Sequence, residues 1–104
     1  MKYELKAYEL KDFLSELIKI PSVNPDGDPG TTVNNTGEKK LAMALGKVLQ
    51  NLGAEVKYDE VECDRPNVIA KFPEHENKPQ VLLAPHLDTV GVGGMSIDPF
   101  GGIQ

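Results

Sequence analysis

His86 and Asp88 are the residues of this 104-residue chain whose types and spacing most directly suggest chemistry. They stand two apart in Pro85-His86-Leu87-Asp88-Thr89-Val90. Residues two apart in an extended chain point to the same side, so an imidazole and a carboxylate leave the backbone together. Two kinds of chemistry use that pair. One is a metal-ligating histidine whose second nitrogen is oriented by a carboxylate; the other is an acid–base couple. A His-x-Asp triplet arises often by chance, so its setting decides its weight.

The setting begins upstream. Val81, Leu82, Leu83 and Ala84 form an unbroken apolar run, too short for a membrane span, which predicts a strand buried on both faces. Pro85 cannot donate to a sheet ladder and should end it. His86 and Asp88 are therefore predicted at the carboxyl end of a buried strand, where ligands in open α/β sheets gather.

The remaining elements must position that end. Leu10, Phe13, Leu14, Leu17 and Ile18 recur at helical spacing and predict an amphipathic helix over 7–19. Lys11, Asp12, Ser15, Glu16 and Lys19 take its other face, and Pro21 stops it. Residues 21–35 hold three prolines and two glycines without apolar period, the marks of a long loop. A second helix is predicted over 36–52, with Asn35 as N-cap and Glu38 as its reciprocal partner. Leu41, Leu45, Val48, Leu49 and Leu52 make its buried stripe, and Gly53 suits the position just past its end. Residues 54–58 alternate as an edge strand does, and 67–72 form another strand after a turn at 64–66. The polar stretch 74–79 leads into 81–84. Two helices, then strands, with a buried strand late in the chain, indicate α/β layer packing in one domain.

Composition excludes several functions. A net charge of −5 argues against non-specific nucleic-acid binding, which needs basic surface. No apolar run approaches the roughly 20 residues of a membrane span, and the charged N-terminus lacks a signal-peptide core. A cytoplasmic protein without membrane or nucleic-acid partners is the expectation. The single Cys63 cannot form an internal disulfide, and its acidic neighbours Glu62 and Asp64 disfavour a thiolate. Other motifs fail on context. Asp26-Gly27-Asp28 lacks the spacing and closing glutamate of a calcium loop. Asn34-Asn35-Thr36 reads as a helix start rather than a glycosylation site. His75 between Glu74 and Glu76 reads as a solvated loop tip. Gly91-Val92-Gly93-Gly94 lacks the third glycine and following helix of a phosphate-binding loop.

Pro85-His86-Leu87-Asp88-Thr89-Val90, followed by Asp98-Pro99-Phe100, resembles the first metal motif of the zinc-dependent peptidases and deacylases. That family includes acetylornithine deacetylase, succinyl-diaminopimelate desuccinylase, aminoacylases and glutamate carboxypeptidases. Ile20-Pro21-Ser22-Val23-Asn24, Leu52-Gly53-Ala54 and Asn67-Val68-Ile69-Ala70 resemble family elements in the expected order. The resemblance implies that His86 is a zinc ligand and that Asp88, the catalytic candidate, orients its ring. It implies two zinc ions, with cobalt or manganese as substitutes, that activate a water for attack on an amide carbonyl. It also implies an N-acyl amino acid or small peptide as substrate.

A zinc site asks for three or four protein ligands, and this sequence supplies one good candidate. The family's Gly-Arg-Gly-x-x-Asp segment, its glutamates and its last histidine have no counterpart here, nor has its smaller inserted domain. A homodimer of the full-length protein therefore stays open. Residues 1–104 are expected to be the N-terminal portion of a metallohydrolase catalytic domain, a sheet with packed helices truncated on its C-terminal side. Its central strand would then lack neighbours supplied by later sequence, leaving an exposed edge. The alternative is a small non-catalytic α/β binding or interaction module in which His86 and Asp88 are a structural hydrogen-bonded pair.

Overall fold

The apolar spacing of the N-terminal segment does form a helix. In the computed structural model, which describes residues 7–27, 35–73 and 77–103, α1 runs over Ala7–Ile18. Its last turn closes through Ile20 N–H to the Leu17 carbonyl at 3.1 Å, and Pro21 prevents further helix. The predicted apolar stripe is present but uncovered. Leu10, Phe13, Leu14 and Ile18 are exposed, Leu17 is half-buried, and among the described side chains of this helix Ser15 is the buried one.

α2 covers Lys39–Asn51 and starts three residues later than the predicted 36. The expected Asn35 cap does not form. The Asn35 carbonyl instead accepts from Val23 N–H at 3.1 Å, and Thr36 bridges Val23 in parallel. Gly37, at φ +88°, turns the chain from that bridge into the helix. Glu38 occupies the N-cap without a side-chain cap bond, because its carboxylate is taken by Arg65. At the other end Gly53 adopts φ +99°, as a residue just past a helix does. Of the predicted stripe, Leu41 is buried and Leu45 and Leu49 are half-buried, whereas Val48 and Leu52 are exposed. Ala42 and Gly46 are the other buried positions.

β1 (Glu55–Glu62) and β2 (Arg65–Lys71) pair antiparallel, from Glu55 opposite Lys71 to Glu62 opposite Arg65. The strands run closer to the tip than predicted. The turn is Cys63-Asp64, with Asp64 in the left-handed region at φ +60° that aspartate tolerates. A register irregularity between Glu60 and Glu62 accompanies it. α2 packs on this hairpin, with Gly46 facing the Tyr58 ring.

Arg65 fastens the hairpin to the helix start. Its guanidinium donates to Glu38 through Nη2 at 3.0 Å and Nε at 3.1 Å, and reaches Asp26 at 3.4 Å and Glu62 at 3.5 Å. These carboxylates, Glu38 first, raise the Arg65 pKa above its already high ordinary value. A buried carboxylate needs such pairing.

The predicted buried strand at 81–84 is a correction. Val81, Leu82 and Leu83 are 85%, 88% and 83% exposed, and residues 80–88 belong to no strand. The sheet among the described residues has two strands, neither of which pairs with this run. A strand exists through its ladder, so four apolar residues without a neighbour cannot form one. The radius of gyration, 15.6 Å, exceeds the roughly 13 Å of a compact domain of this length. The architecture is a small α/β arrangement consistent with a partial domain. No helix among the described residues is long and apolar enough to cross a membrane. His75, Asp28 and Asn34 lie outside the described residues.

Candidate active site around His86 and Asp88

With no strand at 81–84, the position of His86 and Asp88 comes from elsewhere. Residues 22–24 run beside 87–89. Thr89 N–H donates to the Ser22 carbonyl and Asn24 N–H to the Thr89 carbonyl, both at 3.0 Å. The Ser22 hydroxyl adds a bond of 3.1 Å to the Leu87 carbonyl. On its other flank Val23 bridges Thr36. Val23 is fully buried and Ser22 nearly so, at 0% and 2% exposure. The stretch read from sequence as a loop is therefore the inner strip that carries the site. A lone valine among prolines and polar residues has no period to betray it.

His86 Nδ1 lies 2.9 Å from the Asp88 carbonyl oxygen and 3.2 Å from its carboxylate Oδ1. Both partners are acceptors, so Nδ1 carries the proton and donates. In the neutral form of the ring the lone pair is then on Nε2. The His86 side chain is 86% exposed, and Asp88 is half-buried beneath it. Asp88 Oδ2 accepts from Asn24 Nδ2 at 3.0 Å. That bond, with a smaller contribution from the neighbouring imidazole, holds the Asp88 carboxyl below its ordinary value against the opposing effect of partial desolvation.

Downstream, the predicted turn at Asp98-Pro99-Phe100 forms. Phe100 N–H donates to Asp98 Oδ1 at 3.0 Å, and Gly101 N–H to the Asp98 carbonyl at 3.3 Å. The turn docks on α1 where the Ser15 hydroxyl donates to the Gly102 carbonyl at 2.5 Å. Between α1 and this turn lies an open apolar groove of about 400 Å³, lined by Leu14, Leu17, Val90, Met95 and Phe100 among others.

The pair fits one metal ligand with its orienting carboxylate: a free Nε2 on one side of the ring and an engaged Nδ1 on the other. Among the described residues, no group of three potential ligands includes His86. The one such group is Glu60, Cys63 and Asp64 at the hairpin tip, exposed and partly engaged. There Glu60 accepts from Asp64 N–H, and Asp64 pairs with Lys39. Asn24 and Ser22 are the site residues that residue-level reasoning missed.

Comparison with known proteins finds a relation over most of the chain. The chain is 30% identical over 86 residues to acetylornithine deacetylase of Aliivibrio salmonicida strain LFI1238, and to the same enzyme of Aliivibrio fischeri strains MJ11 and ATCC 700601 / ES114. The relation to acetylornithine deacetylase is a distant one. The match takes in 83% of this chain and 21% of each relative, so the chain spans about a fifth of the length of the curated relatives it matches. No protein-family model and no solved structure matches the chain.

Proposed function

We propose that this chain supplies the first ligand of the metal centre of a hydrolase that removes the acyl group from an N-acyl amino acid, N-acetylornithine among the candidates. One observation carries the reading. His86 has its Nδ1 held by both Asp88 acceptors while its ring stands 86% exposed with Nε2 free. A metal-ligating imidazole needs this arrangement, one nitrogen held by an acceptor and the other presented outward. The distant relation to acetylornithine deacetylase supports the substrate class.

In this reading Asp88 fixes the tautomer of His86 and raises its basicity as a donor. The backbone pairing of 87–89 with 22–24 keeps the two side chains in register. A bound zinc ion would supply Lewis acidity toward the amide carbonyl and lower the pKa of water. The further ligands and the general base would come from residues outside this chain, consistent with the share of the relatives' length that it spans. The open groove beside Thr89 and Val90 offers apolar walls near the His-x-Asp strip.

Zinc titration of the chain, followed by calorimetry in every variant and through the ring nitrogens of His86 in the wild type, tests the assignment. The expected result is a zinc-dependent shift at Nε2 in the wild type, with a heat of binding that is lost in His86→Ala and an affinity that weakens about 10–100-fold in Asp88→Asn. In a polypeptide of the relatives' full length, His86→Ala should abolish metal-dependent release of acetate from N-acetylornithine. A zinc response that survives His86→Ala would sink the reading.

A further inference from the structure

His86 and Asp88 do not hold each other in place unaided. The imidazole is 86% exposed, so packing does little to orient it. The terminal torsion of an aspartate is broad, so Asp88 alone would let its carboxylate rotate. The Asp88 carbonyl, 2.9 Å from Nδ1, is one restraint on the ring, and the carboxylate that supplies the other is itself held from across the strip. Asn24 Nδ2 donates to Asp88 Oδ2 at 3.0 Å, which leaves Oδ1 turned toward His86 Nδ1.

Asn24 is itself fixed at four points. Its N–H donates to the Thr89 carbonyl at 3.0 Å, and its carbonyl accepts from Gly27 N–H at 3.2 Å. Its Oδ1 accepts from Asp26 N–H at 2.9 Å. Its Nδ2 takes the carboxylate. The side-chain amide has one satisfying orientation, since a flip would set its oxygen against Asp88 and its NH₂ against the Asp26 N–H. The preceding residue, Val23, is fully buried and bridged on both flanks, so the backbone beneath Asn24 is rigid.

We propose that Asn24 is the positioning residue of this site, clamping one oxygen of Asp88 so that the other holds the His86 ring with Nε2 outward. Its consequence for metal binding rests on the proposed function; its consequence for the ring does not. The competing role for Asn24 is purely structural: its Oδ1 closes the turn to Asp26. Asn24→Asp separates the two, because an aspartate keeps an acceptor for Asp26 N–H while losing the donor to Asp88.

The experiment is nitrogen-15 spectroscopy of the His86 ring in the 104-residue chain at about pH 8.5, well above the ordinary imidazole pKa of about 6.5. The wild-type ring is expected to be dominated by the Nδ1–H tautomer. Asn24→Asp should raise the Nε2–H fraction, the Nδ1 bond to the Asp88 carbonyl remaining as the second restraint, while the backbone amide signals of residues 22–24 and 87–89 stay in place. Asn24→Ala removes the donor without adding charge but also removes the acceptor for Asp26 N–H, so it is read where the amide signals of residues 24–27 stay in place. Zinc affinity at His86 should fall in both variants, by less than the roughly 10–100-fold expected for losing the Asp88 carboxylate itself. A wild-type tautomer retained in both would overturn the proposal, as would undiminished zinc affinity, which would leave the metal reading intact. A tautomer shift in the variants with no zinc response in the wild type would uphold the role of Asn24 and sink the metal reading instead.

Discussion

Replacing Gly46 by alanine tests how α2 sits on the hairpin, and two opposed effects of known size meet there. Gly46 is buried at the middle of the helix, over Tyr58. On helix propensity alone, alanine in place of an interior glycine stabilises by about 1 kcal/mol. Sterically the substitution is a collision. A Cβ at Gly46 would overlap the Tyr58 hydroxyl, lie 2.8 Å from Cζ and lie 3.1 Å from Cε1. Because the contact reaches into the ring, relief requires the whole Tyr58 side chain, 39% exposed, to swing outward and give up its packing on the helix. Overpacking of this kind costs about 1–3 kcal/mol. Gly46→Ala should therefore lower stability by up to about 2 kcal/mol on the difference of these magnitudes. With the ring removed the sign should invert. Gly46→Ala made on top of Tyr58→Ala should stabilise by about the helix-propensity gain of 1 kcal/mol. The coupling between the two sites is then about 1–3 kcal/mol, well outside the scatter of additive pairs. Urea unfolding of the four variants, followed by helical circular dichroism, measures it. A Gly46→Ala that stabilises equally in both backgrounds would show that the ring does not lie over Gly46.

Two further tests address the core and the site. Val23→Ala should destabilise by about 2 kcal/mol, the effect of losing fully buried methyl groups, whereas Leu82→Ser should stay within about 0.5 kcal/mol because Leu82 is 88% exposed. Equal losses in urea unfolding would contradict the placement of both. Asp88, its carboxyl held below the ordinary value mainly by Asn24, should titrate by carboxyl carbon-13 shifts at a midpoint below about 3.9, and Asn24→Ala should move that midpoint up. The sign follows from linkage: a depressed folded-state pKa stabilises fully above the ordinary value, and this contribution is lost as pH falls through the folded-state midpoint. A midpoint at or above the ordinary value would contradict the Asn24 bond.

What was legible in the sequence, and what was not, divides by the range of the forces involved. α1 and α2 declare themselves through apolar spacing, Pro21 and Gly53, all of which act within a few residues. The end of α2 was legible and its start was not. Asn35 and Glu38 make a plausible local cap, yet Arg65, distant in sequence, takes the Glu38 carboxylate, and Val23 takes the Asn35 carbonyl. The same distinction governs the site. The His-x-Asp spacing correctly brought an imidazole and a carboxylate together, since that needs only neighbouring residues. What holds them could not be read that way, because Ser22 and Asn24 reach Leu87 and Asp88 from more than 60 positions away. The apolar run at 81–84 shows the converse error. Four hydrophobic residues announce a demand for burial, and nothing local can state whether a neighbour meets it. Here none among the described residues does, and Val81, Leu82 and Leu83 remain exposed. The site nevertheless keeps its geometry, because Thr89 and Leu87 are tied to the buried strip at Ser22 and Val23 rather than to that run. Positioning of the imidazole and occupancy of the sheet are thus separable in this fold, and the ring of His86 can be interrogated without a strand at 81–84.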